Sequence, residues 1–80
     1  MLHARKDYND LKQLEKKIPQ EEPVFLIRGQ DLAGAETLRF WARKNLEVGG
    51  DSELSFLAEA HALRMERWHL HKTADMKHKE

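Results

Sequence analysis

The chain contains no cysteine, only two prolines and four glycines, and its 14 lysines and arginines balance 14 aspartates and glutamates to a net charge of zero. Without cysteine there is no disulfide framework, no thiolate nucleophile and no cysteine zinc site. Long apolar runs are missing too. None approaches the roughly 18 residues that cross a bilayer, and Met1 to Pro19 lacks the apolar centre of a secretory signal. These features point to a soluble, cytoplasmic protein without membrane contact. The charge balance argues against the strongly basic footprint of a dedicated nucleic-acid binder, and it leaves self-association unopposed by net repulsion.

What is present is 80 residues, 40% hydrophobic and 35% charged, with two Trp and three Phe among them. A chain of this size supports one core and no second, so 1–80 reads as a single small domain. Its apolar content is too high for wholesale disorder.

The apolar spacing predicts a helix over 4–18, where Tyr8, Leu11, Leu14 and Ile18 form one stripe and Pro19 supplies the stop. A polar connector, Gln20 to Glu22, leads into Val24-Phe25-Leu26-Ile27. Bounded by Pro23 and Gly29 and rich in β-branched and aromatic residues, this run predicts a strand over 23–29, buried on both faces. A helix over 33–48 follows, capped by Asp31 or Gly34. Its stripe is Leu38, Trp41, Ala42 and Leu46, and a charged ladder of Glu36, Arg39, Arg43 and Glu47 lies opposite. Gly49 and Gly50 end it, Asp51 or Ser52 caps a last helix over 52–74, and 75–80 reads as a frayed tail. The expected class is therefore α+β, mostly α, in the order helix, strand, helix, helix.

Two features of this layout bear on function. A lone strand leaves backbone groups unpaired, at a cost of about 1–3 kcal/mol for each buried one. Gln20 to Glu22 or Arg28 to Leu32 could fold back to pair with it; the more economical remedy is the same strand of a second copy, antiparallel across a two-fold axis, with Val24, Phe25, Leu26 and Ile27 as the oligomer seam. The last helix, for its part, has two apolar faces. Leu54, Leu57, Ala58, His61, Met65 and Trp68 share one, while Phe56, Ala60, Leu63 and Leu70 lie about 180° around. Either the first helix covers the second stripe, or another molecule does.

Few polar clusters suggest chemistry. Arg28, Gly29, Gln30 and Asp31 join the strand to a helix start and could form an anion pocket, although Asp31 would itself occupy the positive helix end. The glycine spacing and Lys-Ser/Thr pair of a phosphate loop are absent. His69 and His71 point about 200° apart on a helix and cannot share a metal, so neither a metal nor a cofactor is expected. Ser52, Ser55, Thr37 and Thr73 read as caps and helix surface, leaving no catalytic constellation. From His61 to Glu80, five basic residues meet three acidic ones, a local balance of only +2. That permits weak nucleic-acid contact at best.

The stretch from Glu22 to Asp31 (Glu-Pro-Val-Phe-Leu-Ile-Arg-Gly-Gln-Asp), followed by Glu36-Thr37-Leu38-Arg39-Phe40-Trp41-Ala42, resembles a recurrent pattern in short, uncharacterised proteins of bacteriophages and bacteria. It covers about a quarter of the chain, residues 22–42. The resemblance implies a small accessory protein that contacts a host factor or signal molecule, with Arg28, Gln30 and Asp31 as its polar residues to test.

The expectation from sequence is a non-enzymatic accessory or regulatory protein, a homodimer that also binds a host or cognate protein. Its expected partner surface is Phe40, Phe56, Leu63, Arg67 and Leu70. A binder of nucleotides or other anions through Arg28, Gln30 and Asp31 is the alternative, and a weak nucleic-acid binder using the C-terminal helix is the second.

Overall fold

A computed structural model describes the backbone of residues 2–79 and the side chains of 2–5 and 7–70. A single 3-10 turn, Lys6–Tyr8, precedes a short helix α1, Leu11–Lys17; α2, Gly34–Glu47, and α3, Ser52–Lys79, then form a helical hairpin. The mostly helical expectation holds. Among the described residues, however, there is no strand, so the order helix, strand, helix, helix is corrected.

The predicted first helix splits in two. Asp10 is in extended geometry and its carboxylate accepts the Lys12 N–H, which restarts the helix at Leu11, and α1 ends at Lys17 before Pro19. No residue of α1 is buried, and Leu11 is 60% exposed, so its apolar stripe contributes little to the core. At the hairpin turn the expected chemistry appears. Gly49 takes a left-handed φ of 82°, the conformation glycine tolerates best after a helix end, and the Asp51 carboxylate accepts the Glu53 N–H at 2.9 Å as the cap of α3. The start of α2 differs. Ala33 occupies the cap position without a side-chain bond, while the Asp31 carboxylate accepts the Ala33 N–H at 2.9 Å one turn earlier. The last helix runs through Lys79 rather than stopping at Ala74.

The seam between α2 and α3 is made of small residues. Ala42 and Ala62 are fully enclosed, and Ala35, Ala58, Ser55 and Met65 are buried with them. Small side chains bring the two backbones close enough for the Ser55 hydroxyl, on α3, to donate to the Ala42 carbonyl on α2 at 2.8 Å. Ser55 is thus a core residue, not the surface position expected. Asn45 extends the lock, donating through Nδ2 to the Asp51 carbonyl and to Ser55 Oγ, each at 2.9 Å. On the same hairpin, Arg39 grips Glu66 through both guanidinium nitrogens at 2.7 and 2.8 Å while holding Glu36 at 2.9 Å. Part of the predicted charged ladder therefore ties the helices together.

Residues 23–28 cross this hairpin without hydrogen-bonded regularity. Ile27 alone of the apolar run packs against the Ala35, Ala62 and Met65 cluster. Gly34 sits under it: a Cβ there would meet the Arg28 carbonyl and Met65 Sδ at 3.2 Å and Ile27 Cγ2 at 3.3 Å. Val24, Phe25 and Leu26 are 68%, 84% and 65% exposed, so the expected burial on both faces is overturned. A strand needs a ladder partner, and the described residues supply none.

The resulting body measures 43 × 29 × 20 Å with a radius of gyration of 14.4 Å, against about 12 Å for a compact chain of this length. The long axis matches α3, whose 28 residues span about 42 Å at 1.5 Å each.

Candidate functional site

All three Phe and both Trp of the chain lie largely in solvent: Phe25, Phe40 and Phe56 are 84%, 61% and 71% exposed, Trp41 and Trp68 46% and 50%. An aromatic side chain can remove about 150–250 Å² from water when buried. Here the core is built from alanine instead, and the large apolar groups are left outside.

Their arrangement is not random. On α3, Leu54, Leu57 and His61 are half-buried, and His61 Nε2 lies 3.0 Å from the Leu2 carbonyl. Trp68 lies against the Gly29 backbone, where an added Cβ would stand 3.2 Å from the indole. Of the first stripe, Ala58 and Met65 are buried, Met65 packs with Ala35 of α2, and single contacts reach His61 from the N-terminus and Trp68 from Gly29. The second stripe stays open, with Phe56, Leu63 and Leu70 71%, 48% and 71% exposed, and Ala60 and Arg67 exposed beside them. Four of the five expected partner-surface residues therefore share one uncovered face. The fifth, Phe40, is exposed on α2, beside a shallow hollow lined by α2 residues alone, with the Arg43 guanidinium 5.9 Å from its ring.

The Arg28 to Asp31 loop makes a turn. The Asp31 N–H donates to the Arg28 carbonyl at 3.0 Å, and the Gly34 N–H to the Asp31 carbonyl at 2.9 Å. Arg28 and Gln30 are exposed. A groove of about 380 Å³ opens next to this turn, floored by Ala35 and Met65, walled by Leu32 and Leu70, and rimmed by Asp31, Glu36 and Glu66. Arg28 and Gln30 do not line it, and its lining holds no arginine or lysine. The predicted ligand residues are thus not gathered around one cavity, and the groove beside them is not complementary to an anion. Leu32, which the sequence reading passed over, is 80% exposed at its edge.

A second polar cluster lies at the N-terminus. Arg5 and Lys17 hold Asp7 at 2.7 and 3.0 Å, and these hydrogen bonds, that from Arg5 foremost, draw the Asp7 carboxyl down to about 2. The Arg5 guanidinium also covers the Tyr8 ring at 4.2 Å. His3 accepts the Arg5 N–H through Nδ1 at 2.9 Å and meets Tyr8 edge-on at 4.9 Å. Burial lowers the His3 pKa from its ordinary value, and the charges of His61 and Arg5 push the same way against Asp7.

No group of His, Asp and Glu that could hold a metal occurs among the described residues, where His69 is half-buried; the side chains of His71, Thr73 and His78 lie outside them. Among the described residues no helix is long and apolar enough to cross a membrane. The Thr37 and Ser55 hydroxyls are committed to the Ala33 and Ala42 carbonyls at 2.7 and 2.8 Å. No family model, no curated protein and no solved structure matches this chain.

Proposed function

We propose that this protein is a small, non-enzymatic binding module that works through protein–protein contact and exists as a homo-oligomer. The observation that carries this reading is the inversion of its apolar residues: alanines and one methionine inside, every Phe and Trp at least 46% exposed. Interfaces draw their energy from a few large aromatic and aliphatic anchors and from Arg, set in a surface that excludes water. Phe56, Leu63, Arg67 and Leu70 on one helix face have that composition. The neutral net charge removes a barrier to association of like chains.

The role is accessory or regulatory. Following the resemblance of residues 22–42 to short phage and bacterial proteins, a host or cognate protein is the second partner, and Phe40 on the opposite helix is available to it. Sedimentation equilibrium at tens of micromolar tests the reading. A mass at least twice the 9.4 kDa of one chain is expected, and a well-folded monomer would remove the homo-oligomer. Phe40→Glu should then abolish capture of the second partner while leaving helix content and oligomer mass unchanged. Unaltered capture would take Phe40 out of that surface.

A further inference from the structure

On α3 the exposed residues Phe56, Ala60, Leu63, Arg67 and Leu70 are spaced four, three, four and three. This is the alternation of a helix seam that packs on another helix. At about 100° per residue they occupy an arc of only about 80°, and Glu53 and Glu59 stand at its two borders on either side of Phe56. Among the described residues, neither Arg67 nor Glu53 nor Glu59 has an ion-pair partner. Among the described residues the stripe therefore carries one cation without an ion pair near one end and two such carboxylates near the other.

From this pattern we infer that the occupant of the stripe is α3 of a second copy, packed antiparallel about a two-fold axis midway between Ala60 and Leu63. The inference rests on the homo-oligomeric reading above and specifies its seam. In this register each Leu63 lies over the partner's Ala60, a large side chain facing a small one. Each Arg67 comes level with the partner's Phe56, between the partner's Glu53 and Glu59, so that a guanidinium covers an aromatic face and meets carboxylates on both sides. An in-register parallel pair does the opposite: it stacks Arg67 on Arg67 and leaves Ala60 against Ala60. Charge and size both select the antiparallel form.

Because the chain has no cysteine, single cysteines report the seam directly. Mixing Ala60→Cys with Leu63→Cys chains, or Phe56→Cys with Arg67→Cys chains, under mild oxidation should give the mixed disulfide dimer. Phe56→Cys alone should not cross-link, since its two copies would lie about 16 Å apart along the helix, beyond the roughly 7 Å Cα separation a disulfide spans. Arg67→Glu should weaken the dimer at least tenfold by sedimentation, and adding Glu53→Lys and Glu59→Lys to the same chain should restore it. All these side chains are exposed, and circular dichroism checks that the helices persist. Self-cross-linking of Phe56→Cys would overturn the antiparallel seam in favour of a parallel one. A dimer indifferent to Arg67→Glu that cross-links through Phe25→Cys instead would overturn the α3 seam and leave the homo-oligomeric reading standing. A monomer would end both.

Discussion

Replacing Ser55 with alanine tests whether the hairpin is held by its buried polar lock. Ser55 is 2% exposed. It donates to the Ala42 carbonyl at 2.8 Å and accepts from Asn45 Nδ2 at 2.9 Å, so one atom joins α3 to the backbone of α2 and to the side chain that closes the turn. Alanine keeps the small volume the seam requires, so no cavity larger than an oxygen results. The loss is then the net worth of one buried hydrogen bond plus an Asn45 N–H left without its acceptor. A net bond is worth about 0.5–1.5 kcal/mol, and half-buried Asn45 recovers part of its share from water. About 1 kcal/mol is the expected cost, which in a domain of this size lowers Tm by about 4–8 °C.

The assay is thermal unfolding followed by far-ultraviolet circular dichroism, at one protein concentration throughout because association shifts the midpoint. Thr37→Ala is the control. Its hydroxyl makes a bond of similar length, 2.7 Å to the Ala33 carbonyl, but in an exposed position, where water replaces it and the effect stays within about 0.5 kcal/mol. Combining Ser55→Ala with Asn45→Ala should cost less than the sum of the two, by about 0.5 kcal/mol or more, because both remove the same bond. A Ser55→Ala protein that melts with Thr37→Ala, or above the parent, would show that the lock contributes nothing and that alanine packing alone holds the helices.

Other expectations follow from the same geometry. Gly49→Ala meets no neighbouring atom, but its φ of 82° costs about 1–2 kcal/mol in a residue with a Cβ, readable as a lower urea midpoint with an unchanged slope. In Gly50→Ala the new Cβ would overlap the Asn45 carboxamide, so this variant should lose the Asn45 bond to Asp51 and show faster amide exchange across the turn. The N-terminal segment should loosen in two stages on acidification. The unfolded chain binds a proton at His3 before the folded one does, so stability from that site falls as pH drops below about 6.5. Asp7, drawn down to about 2, contributes above its unfolded value and loses that contribution as pH falls through about 2. A His3 proton titration with its midpoint at or above that of the isolated N-terminal peptide would contradict the first stage. Raising salt should weaken the Arg39 grip on exposed Glu66, and Arg39→Lys, which cannot make the two-nitrogen contact, should fall below the parent in melting temperature at low salt and converge with it at high salt.

Much of the helical layout is written in local signals. Pro19, the Gly49-Gly50 pair and Asp51 act within a turn of their own position, so the ends of α1 and α2 and the start of α3 were legible from sequence. The two faces of α3 followed from spacing alone, and one of them is indeed uncovered. The interior of the hairpin was harder to see. A scheme that ranks residues by size assigns the core to Leu38, Trp41, Leu46 and Trp68, yet Trp41, Leu46 and Trp68 are about half exposed and the sealed positions belong to Ala42, Ala58, Ala62 and Ser55. Ala42 and Ala58 stood on the predicted stripes; the overlooked positions were Ser55 and Ala62 on α3 and Ala35 on α2, which complete the same small-residue seam. Likewise Asp10 broke the predicted first helix through a side-chain bond that competes with helix propagation.

Val24 to Ile27 failed as a strand for a different reason: its composition favours extended backbone, but it has no ladder partner among the described residues. Composition sets the conformation of a segment, but a ladder needs a second segment, and that is a property of the whole assembly. The two departures from expectation are connected. Once alanines fill the helix seam, the space between α2 and α3 is too narrow for Phe or Trp, and those side chains must be displaced to the outer faces. A monomer would leave that apolar area in water. At about 25 cal/mol per Å², burying the exposed part of even two aromatic rings, roughly 200 Å² in all, would return about 5 kcal/mol. That is comparable to the whole stability of a small domain, and it is the gain on which the proposed α3 seam would draw.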